Sequence, residues 1–212
     1  EADDIASGAR LQHIKHDYEL SWYAPTILEG WLYGGRNYNL FAILGNVRNG
    51  VGFAGIVTGE GFNYISDSRG LPEDASEDVL NEMGEDEGFY HSVSHVYLSE
   101  LDSFDWQQVT TSYGVVSESQ YQVWKETGRP SSYSGGVGGG GVVQITNEQM
   151  EAIIAGHVAR EEGKTYYTRV QWQESYDEAV GGAFYPDAVN KLRELSTDPE
   201  LDDVRIVFGF DS

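Results

Sequence analysis

The alternation of apolar and polar positions is clearest in the last third of the chain. Thr146 with Gln149 forms a capping box, and apolar residues follow at helical spacing, which predicts a helix that ends at Gly163. His157 falls on the apolar face of this predicted helix and is interpreted as a core histidine. Residues 166–172 alternate as a half-buried strand does, so a strand is predicted there.

The pattern continues to the carboxyl end with a broken helix and a closing strand. Ser175 with Glu178 marks a helix start, Gly181 interrupts the helix, and Pro186 allows it to restart. Residues 204–210 are rich in Val, Ile and Phe and are predicted to form the last strand.

The middle of the chain carries weaker signals of the same kinds. Spacing and capping residues predict helices over residues 73–83, 99–106 and 117–128. Aromatic and β-branched residues predict an extended segment over residues 89–98 and a short strand over residues 142–145. The predicted fold class is α+β, a mixed or antiparallel sheet with several short helices packed on it.

Glycines and aromatics dominate the remaining segments. The first forty-five residues, including the apolar run 40–44, are interpreted as short strands and loops. Residues 45–61 contain six glycines and are interpreted as a loop. Residues 131–141 are rich in Gly and Ser and are predicted to be a flexible loop within a single domain that spans residues 1–212.

Charge narrows the classes of partner. The 212 residues include 35 acidic and 13 basic side chains, a formal net charge of −22, so the surface repels phosphate backbones and anionic headgroups. We therefore predict no nucleic-acid partner and no membrane association, and the sequence has no apolar run of the length that spans a bilayer. There is no cysteine, which excludes disulfides and thiolate metal sites.

The close pair His91 and His95 is the first candidate for metal chemistry. On a helix the two imidazoles would be neighbours, but on a strand four residues separate them by about 13 Å. The flanking aromatic and β-branched residues favour the strand, and the pair lacks the Glu of an H-E-x-x-H motif. We predict no cofactor, with a divalent metal as the weaker alternative.

Three arginines in predicted loops are the candidates for ligand binding. Arg36 precedes Asn37, Arg48 precedes Asn49, and Arg69 precedes Gly70. Guanidinium groups beside glycine-rich backbone suit the binding of a carboxylate or another anion. The alternative is a set of structural salt bridges, because carboxylates are abundant in this chain.

Several short motifs support a resemblance to a known family. They are GRNYNLF (35–41), GNVRNG (45–50), RGLPED (69–74) and VRIVFGFD (204–211), together with His91-Ser92, Leu98-Ser99-Glu100-Leu101 and Asp105-Trp106. The chain resembles a family of uncharacterised proteins carried by bacteriophages and prophages, over most of its length. Members of that family begin with a strand bearing Gly-Cys-Asp-Ile-His, whereas this chain has Ala2-Asp3-Asp4-Ile5-Ala6. The resemblance implies a phage accessory protein of the host cytoplasm and implies no reaction mechanism.

The functional prediction is therefore a non-catalytic accessory protein that binds a host protein or a small anionic ligand. Its predicted ligand-binding residues are Arg36, Asn37, Arg48, Asn49, Arg69, His91 and Trp106. A second hypothesis is a metal-assisted hydrolase or nucleotide-modifying enzyme that uses His91 with Asp86, Asp102 or Asp105. A third hypothesis is a structural component of the virion. The sequence identifies no catalytic residue and no oligomeric state.

Overall fold

A computed structural model describes residues 9–11, 14–16, 19–21, 25–27, 37–83, 90–182, 184–197 and 203–211. The strands are β1 (Ala9–Leu11), β2 (Ile14–His16), β3 (Glu19–Ser21), β4 (Pro25–Ile27), β5 (Tyr90–Tyr97), β6 (Val109–Ser117), β7 (Val142–Ile145), β8 (Thr165–Ser175) and β9 (Arg205–Asp211). The α-helices are α1 (Tyr38–Gly45), α2 (Glu77–Met83), α3 (Leu98–Ser103), α4 (Glu118–Thr127), α5 (Asn147–Ile154), α6 (Tyr176–Val180) and α7 (Asn190–Leu195). The predicted α+β class is confirmed.

The chain divides into two compact units. Unit 1 comprises residues 1–47, 63–105 and 180–212, and unit 2 comprises residues 48–62 and 106–179. The prediction that the chain folds as a single domain stays a prediction.

Antiparallel pairs make up the strands of unit 1: β1 with β4, β2 with β3, and β5 with β9. The register of β5 and β9 shifts between His91 and Ser94, where Ser92 has φ +52°. A left-handed residue inside a strand is the mark of a β-bulge, which bends the strand locally. The predicted extended segment and the closing strand are thus confirmed.

The apolar run that we interpreted as strand and loop is helix α1. Asn37 caps it, since the side-chain oxygen of Asn37 accepts a hydrogen bond from the Leu40 N–H at 3.1 Å. Leu40, Ala42, Ile43 and Leu44 are buried. A short continuous apolar run fits a buried helix as well as a buried strand, and here only the Asn cap distinguishes the two.

The core of unit 1 is built from α1, β5, β9 and the helical segment before α7. That segment contains a π-helical turn, Tyr185–Val189, so the predicted restart of the helix at Pro186 is confirmed. Its buried apolar members are Phe184, Ala188 and Val189, and Leu192 of α7 is buried as well.

Unit 2 contains a mixed sheet in the order β6-β8-β7. The central strand β8 pairs antiparallel with β6 and parallel with β7. Helix α5 connects the parallel strands, as such a crossover requires. One face of β8 is buried, and its alternate residues pack with Val116, Tyr121 and Met150 in the core of this unit.

In unit 2 one strand was missed and one helix is shorter than predicted. The nine-residue strand β6 had no predicted counterpart. Helix α5 ends at Ile154 rather than near Gly163, because Gly156 has φ +73° and the N–H groups of Gly156 and His157 donate to the carbonyls of Ile153 and Ala152. His157 is consequently exposed and is not a core histidine.

Candidate functional site

The predicted ligand-binding residues divide between the two units. Asn37, Arg69 and His91 belong to unit 1, whereas Arg48, Asn49 and Trp106 belong to unit 2. Arg36 lies outside the described residues.

Arg69 lies in a turn that is fastened to β5. Its N–H donates to the Ser94 hydroxyl at 3.0 Å, and the next N–H, of Gly70, donates to the Val93 carbonyl at 3.0 Å. The guanidinium donates through both terminal nitrogens to the Glu100 carboxylate, at 2.8 and 2.6 Å. The Arg69 guanidinium is therefore paired with a carboxylate of the same chain. This contact is a structural salt bridge, the alternative to ligand binding that the sequence also allowed.

Glu100 also serves the start of helix α3. One of its oxygens accepts a hydrogen bond from the Tyr97 N–H at 3.0 Å. Hydrogen bonding to Arg69, offset in part by desolvation, holds the pKa of Glu100 below its usual value, and the same pair raises the pKa of Arg69. The charged pair is favoured at neutral pH.

The two close histidines lie on strand β5, as expected, and each ring nitrogen Nδ1 has a partner. The ring of His91 contacts the Ser92 hydroxyl at 3.1 Å and lies 6.0 Å from the Phe210 ring, centre to centre. His95 contacts the Gly70 carbonyl at 3.1 Å. Neither contact involves a second histidine.

The metal-assisted hypothesis also named three acidic residues. Asp102 forms an ion pair with Arg193 at 2.8 Å, and Asp86 lies outside the described residues. Within the part of the chain that the structure describes, no three His, Asp or Glu side chains are grouped so as to hold a metal ion.

Both predicted asparagines have structural contacts. Asn37 caps α1 and also donates from its side chain to the Val180 carbonyl at 2.6 Å. Asn49 joins the two ends of a loop, because its side chain accepts from the Phe62 N–H at 2.7 Å and donates to the Phe62 carbonyl at 2.8 Å.

The loop that Asn49 closes, which we call the Phe53 loop (residues 50–58), is tightly hydrogen bonded. Gly52 donates its N–H to the Ile56 carbonyl at 2.8 Å, and Thr58 donates to the Gly50 carbonyl at 2.9 Å. Arg169 donates to the Val57 carbonyl at 2.5 Å. Ala54, with φ +55°, forms part of the short 3-10 turn Phe53–Gly55. The glycine-rich segment is a loop, as predicted.

The Phe53 loop exposes apolar side chains. Phe53 is 70% exposed and Val57 is 53% exposed. Both residues belong to the hydrogen-bonded loop, so ordered backbone holds their side chains toward solvent.

Trp106, a predicted ligand-binding residue, is buried. It is 9% exposed, and its carbonyl accepts from the Asp177 N–H at 3.1 Å near the start of α6. Its position indicates a contribution to the core.

The first half of the Gly/Ser-rich segment is anchored. We call residues 129–134 the strap. The Gln120 side chain accepts from the N–H groups of Ser131 and Ser132 at 2.9 and 3.0 Å, and Ser134 exchanges backbone hydrogen bonds with Val115. A Cβ added at Gly138, Gly139 or Gly140 would meet no atom within 4 Å, so the second half is more open. Flexibility of the segment stays a prediction.

Sequence reasoning missed the exposed Phe53, the strap and a buried carboxylate, that of Glu174. One signal for Glu174 was present, since Thr168, Val170, Trp172 and Glu174 alternate along β8 and share its buried face. The position of Glu174 in this alternation predicts that its carboxylate is buried.

Comparison of the chain with family models, with curated proteins and with solved structures gives no match. None of the helices in the described ranges has the length and apolar content needed to cross a bilayer.

Proposed function

We propose that this chain is a non-catalytic phage accessory protein that binds a host protein through the Phe53 loop. The phage origin is supported by the sequence motifs alone. The binding role is supported by one observation above all, which is the 70% exposure of Phe53 on a closed, hydrogen-bonded loop.

The loop is organised before any partner arrives. Asn49, the backbone of Gly50 and Gly52, and Arg169 all fix its course. A loop that is already ordered loses little conformational entropy on binding, so most of the gain from burying its side chains is retained. Full burial of a Phe side chain contributes about 1.5–3 kcal/mol.

The net charge specifies the kind of partner. With a formal charge of −22, the chain attracts proteins whose binding surface is basic and repels acidic ones. We therefore propose a partner with an apolar pocket for Phe53 and a basic rim. A small anionic ligand is not favoured at Arg69, because Glu100 already occupies its guanidinium.

The first prediction concerns Phe53→Ser. Loss of the Phe53 ring is expected to weaken partner binding roughly thirtyfold, which corresponds to about 2 kcal/mol. The partner is captured from host lysate with the unaltered chain, purified, and its Kd is measured by calorimetry.

The matched control is Val158→Ser, which removes another exposed apolar side chain of unit 2, 50% exposed. The control should bind as tightly as the unaltered chain. A captured protein that binds Phe53→Ser with unchanged Kd would contradict the proposal, as would recovery of the chain as a stoichiometric component of purified virions.

A further inference from the structure

Arg169 of strand β8 is exposed, and it forms no ion pair with any acidic residue that the structure describes. Its Nη2 donates to the Val57 carbonyl of the Phe53 loop at 2.5 Å, and its Cζ lies 5.8 Å from the centre of the Tyr113 ring. Seven other basic side chains in the described ranges each pair with a carboxylate of the same chain: Arg69, Lys125, Arg129, Arg160, Lys191, Arg193 and Arg205. Although the chain contains 35 acidic residues, the charge of Arg169 therefore stays available to a group from outside.

The guanidinium of Arg169 is held in place with most of its donors unused. It carries five N–H donors, and within the described ranges its one hydrogen-bond acceptor is the Val57 carbonyl. A neutral carbonyl and an aromatic ring position the group without cancelling its charge. Because the side chain is already positioned, it loses less conformational entropy when it pairs with a carboxylate.

The face of the sheet around Arg169 carries no negative side chain. Arg169 alternates with the buried residues of β8 and so lies on the other face, which paired residues of β6 share. Its neighbours on this face of β6 and β8 are uncharged: Thr111, Tyr113, Val115, Tyr167, Gln171 and Gln173. A carboxylate that approaches Arg169 meets no acidic side chain among these neighbours.

Arg169 lies against the surface that we propose for partner binding. Val57, whose carbonyl accepts from Arg169, is one of the exposed apolar residues of the Phe53 loop. A partner that covers this loop therefore also removes water from the guanidinium. Desolvation of a charged group costs free energy unless an opposite charge or further hydrogen bonds replace the water, so the partner must supply an acceptor there.

The net charge limits what that acceptor can be. With a formal charge of −22, the chain repels nucleic acids and other polyanions. A single carboxylate on a protein whose remaining surface is basic meets no such barrier. Its two oxygens also match the planar fork of a guanidinium.

We propose that the partner of the Phe53 loop presents one acidic side chain beside its apolar pocket, and that this carboxylate pairs with Arg169. The inference rests on the proposed function, because it extends the same binding surface from Phe53 to the uncharged face of β6 and β8. It adds a requirement that the net charge alone does not give, since an aspartate or glutamate interrupts the basic rim of the partner at this point. Arg169 is then a specificity-determining residue.

The second prediction uses a displayed library of short random peptides, selected on the full chain. Selected peptides should be enriched in an apolar residue accompanied by Asp or Glu, among Lys and Arg. Selection on Arg169→Gln should keep the apolar residue and lose the enrichment of Asp and Glu, because the glutamine amide can donate to the Val57 carbonyl but carries no charge. Selection on Phe53→Ser should lose the apolar residue.

A second measurement gives the size of the effect. The most strongly selected peptide is synthesised with its acidic residue intact or replaced by the corresponding amide, and Kd is measured by calorimetry. The amide peptide should bind the unaltered chain about tenfold more weakly, because a charge-assisted hydrogen bond is lost. Arg169→Gln should bind both peptides equally, since the acidic residue and Arg169 act as a pair.

Arg160→Gln is the matched control, because it removes the same charge from unit 2 but from a guanidinium that Glu118 already pairs. It should leave the selection and the Kd values unchanged.

Three results would overturn this inference and leave the proposed function intact. They are selected peptides with a Phe53-dependent apolar residue but no Asp or Glu, a preference for Asp or Glu that survives in Arg169→Gln, and loss of the apolar preference as well in Arg169→Gln. The last result would mean that Arg169 only holds the loop. Failure to select any peptide, or selection that does not depend on Phe53, would overturn the proposed function and this inference with it.

Discussion

At the scale of single residues, Glu100 connects two parts of unit 1 that are distant in sequence. It binds the guanidinium of Arg69, which precedes it by 31 residues, and it accepts from the backbone at the start of α3. The ion pair needs the ionised carboxylate, and the backbone hydrogen bond is stronger with it. The sequence predicted Arg69 as a ligand-binding residue with a structural salt bridge as the alternative, and among 35 carboxylates it offered no means of choosing the partner.

The third prediction follows from this pair. Arg69→Ala should lower the free energy of unfolding by about 0.5–1 kcal/mol at pH 7, the range for a partly exposed ion pair. Because the pKa of Glu100 is lower in the folded chain, the stabilisation is present above the unfolded pKa and is lost as pH falls through the folded value. Urea unfolding should therefore separate the variant from the unaltered chain more widely at pH 7 than at pH 3.

Arg193→Ala provides the comparison, because its ion pair with Asp102 is more exposed, at 48% for each side chain. It should cost less than Arg69→Ala at pH 7. A difference between Arg69→Ala and the unaltered chain that persists in full at pH 3 would show that lost packing, rather than charge, is responsible.

At the scale of elements, the capping box of Thr146 with Gln149 was a reliable signal, whereas the Asn37 cap of α1 was overlooked. The Thr146–Gln149 box is reciprocal in the structure, with hydrogen bonds of 3.0 and 3.2 Å. Ser117 caps α4 as expected, although the Gln120 side chain of its predicted box binds the strap instead. Strand β6 was missed although Val, Thr and Tyr favour strands, because Ser112 and Gly114 interrupt their run, and pairing with β8 fixes the segment as a strand.

The fourth prediction concerns the fit of the strap on β6. A methyl group at Gly114 would lie 2.8 Å from Tyr133 Cδ2, so Gly114→Ala should destabilise unit 2 by about 1–3 kcal/mol through overpacking. Thermal unfolding measures the change. In the double variant Gly114→Ala/Tyr133→Gly every Tyr133 atom that a Cβ at Gly114 would meet is gone, so the two effects should not add.

Gly138→Ala is the control, because a Cβ at Gly138 meets nothing within 4 Å and its φ is not positive. It should leave the unfolding temperature unchanged within error. Additive effects of Gly114→Ala and Tyr133→Gly would mean that Tyr133 does not rest on Gly114.

At the scale of the whole molecule, charge is the dominant property. A formal charge of −22 on 212 residues places many carboxylates on the surface, and their mutual repulsion favours the expanded, unfolded chain. Composition predicted this behaviour without any structure. Composition did not predict which candidate side chains would lie close together. The described candidates are divided between the two units and have separate hydrogen-bond partners.

The fifth prediction tests that repulsion. Raising NaCl from 10 to 150 mM, concentrations chosen to shorten the screening length from about 30 to about 8 Å, should raise the unfolding temperature by several degrees. KCl at the same ionic strength should act equally. A much larger effect of MgCl2 at matched ionic strength would indicate a specific cation site rather than screening.

The order of strands in the sheet of unit 2 has a consequence for biosynthesis. Strands β6 and β7 emerge from the ribosome first, yet they have no bonds to each other and both await β8. Strand β5 likewise awaits β9, the last of the described strands. Assembly of these two sheets is thus postponed until β8 and β9 have been synthesised, which exposes unpaired strand edges in the nascent polypeptide and makes chaperone engagement during translation an expected part of its folding.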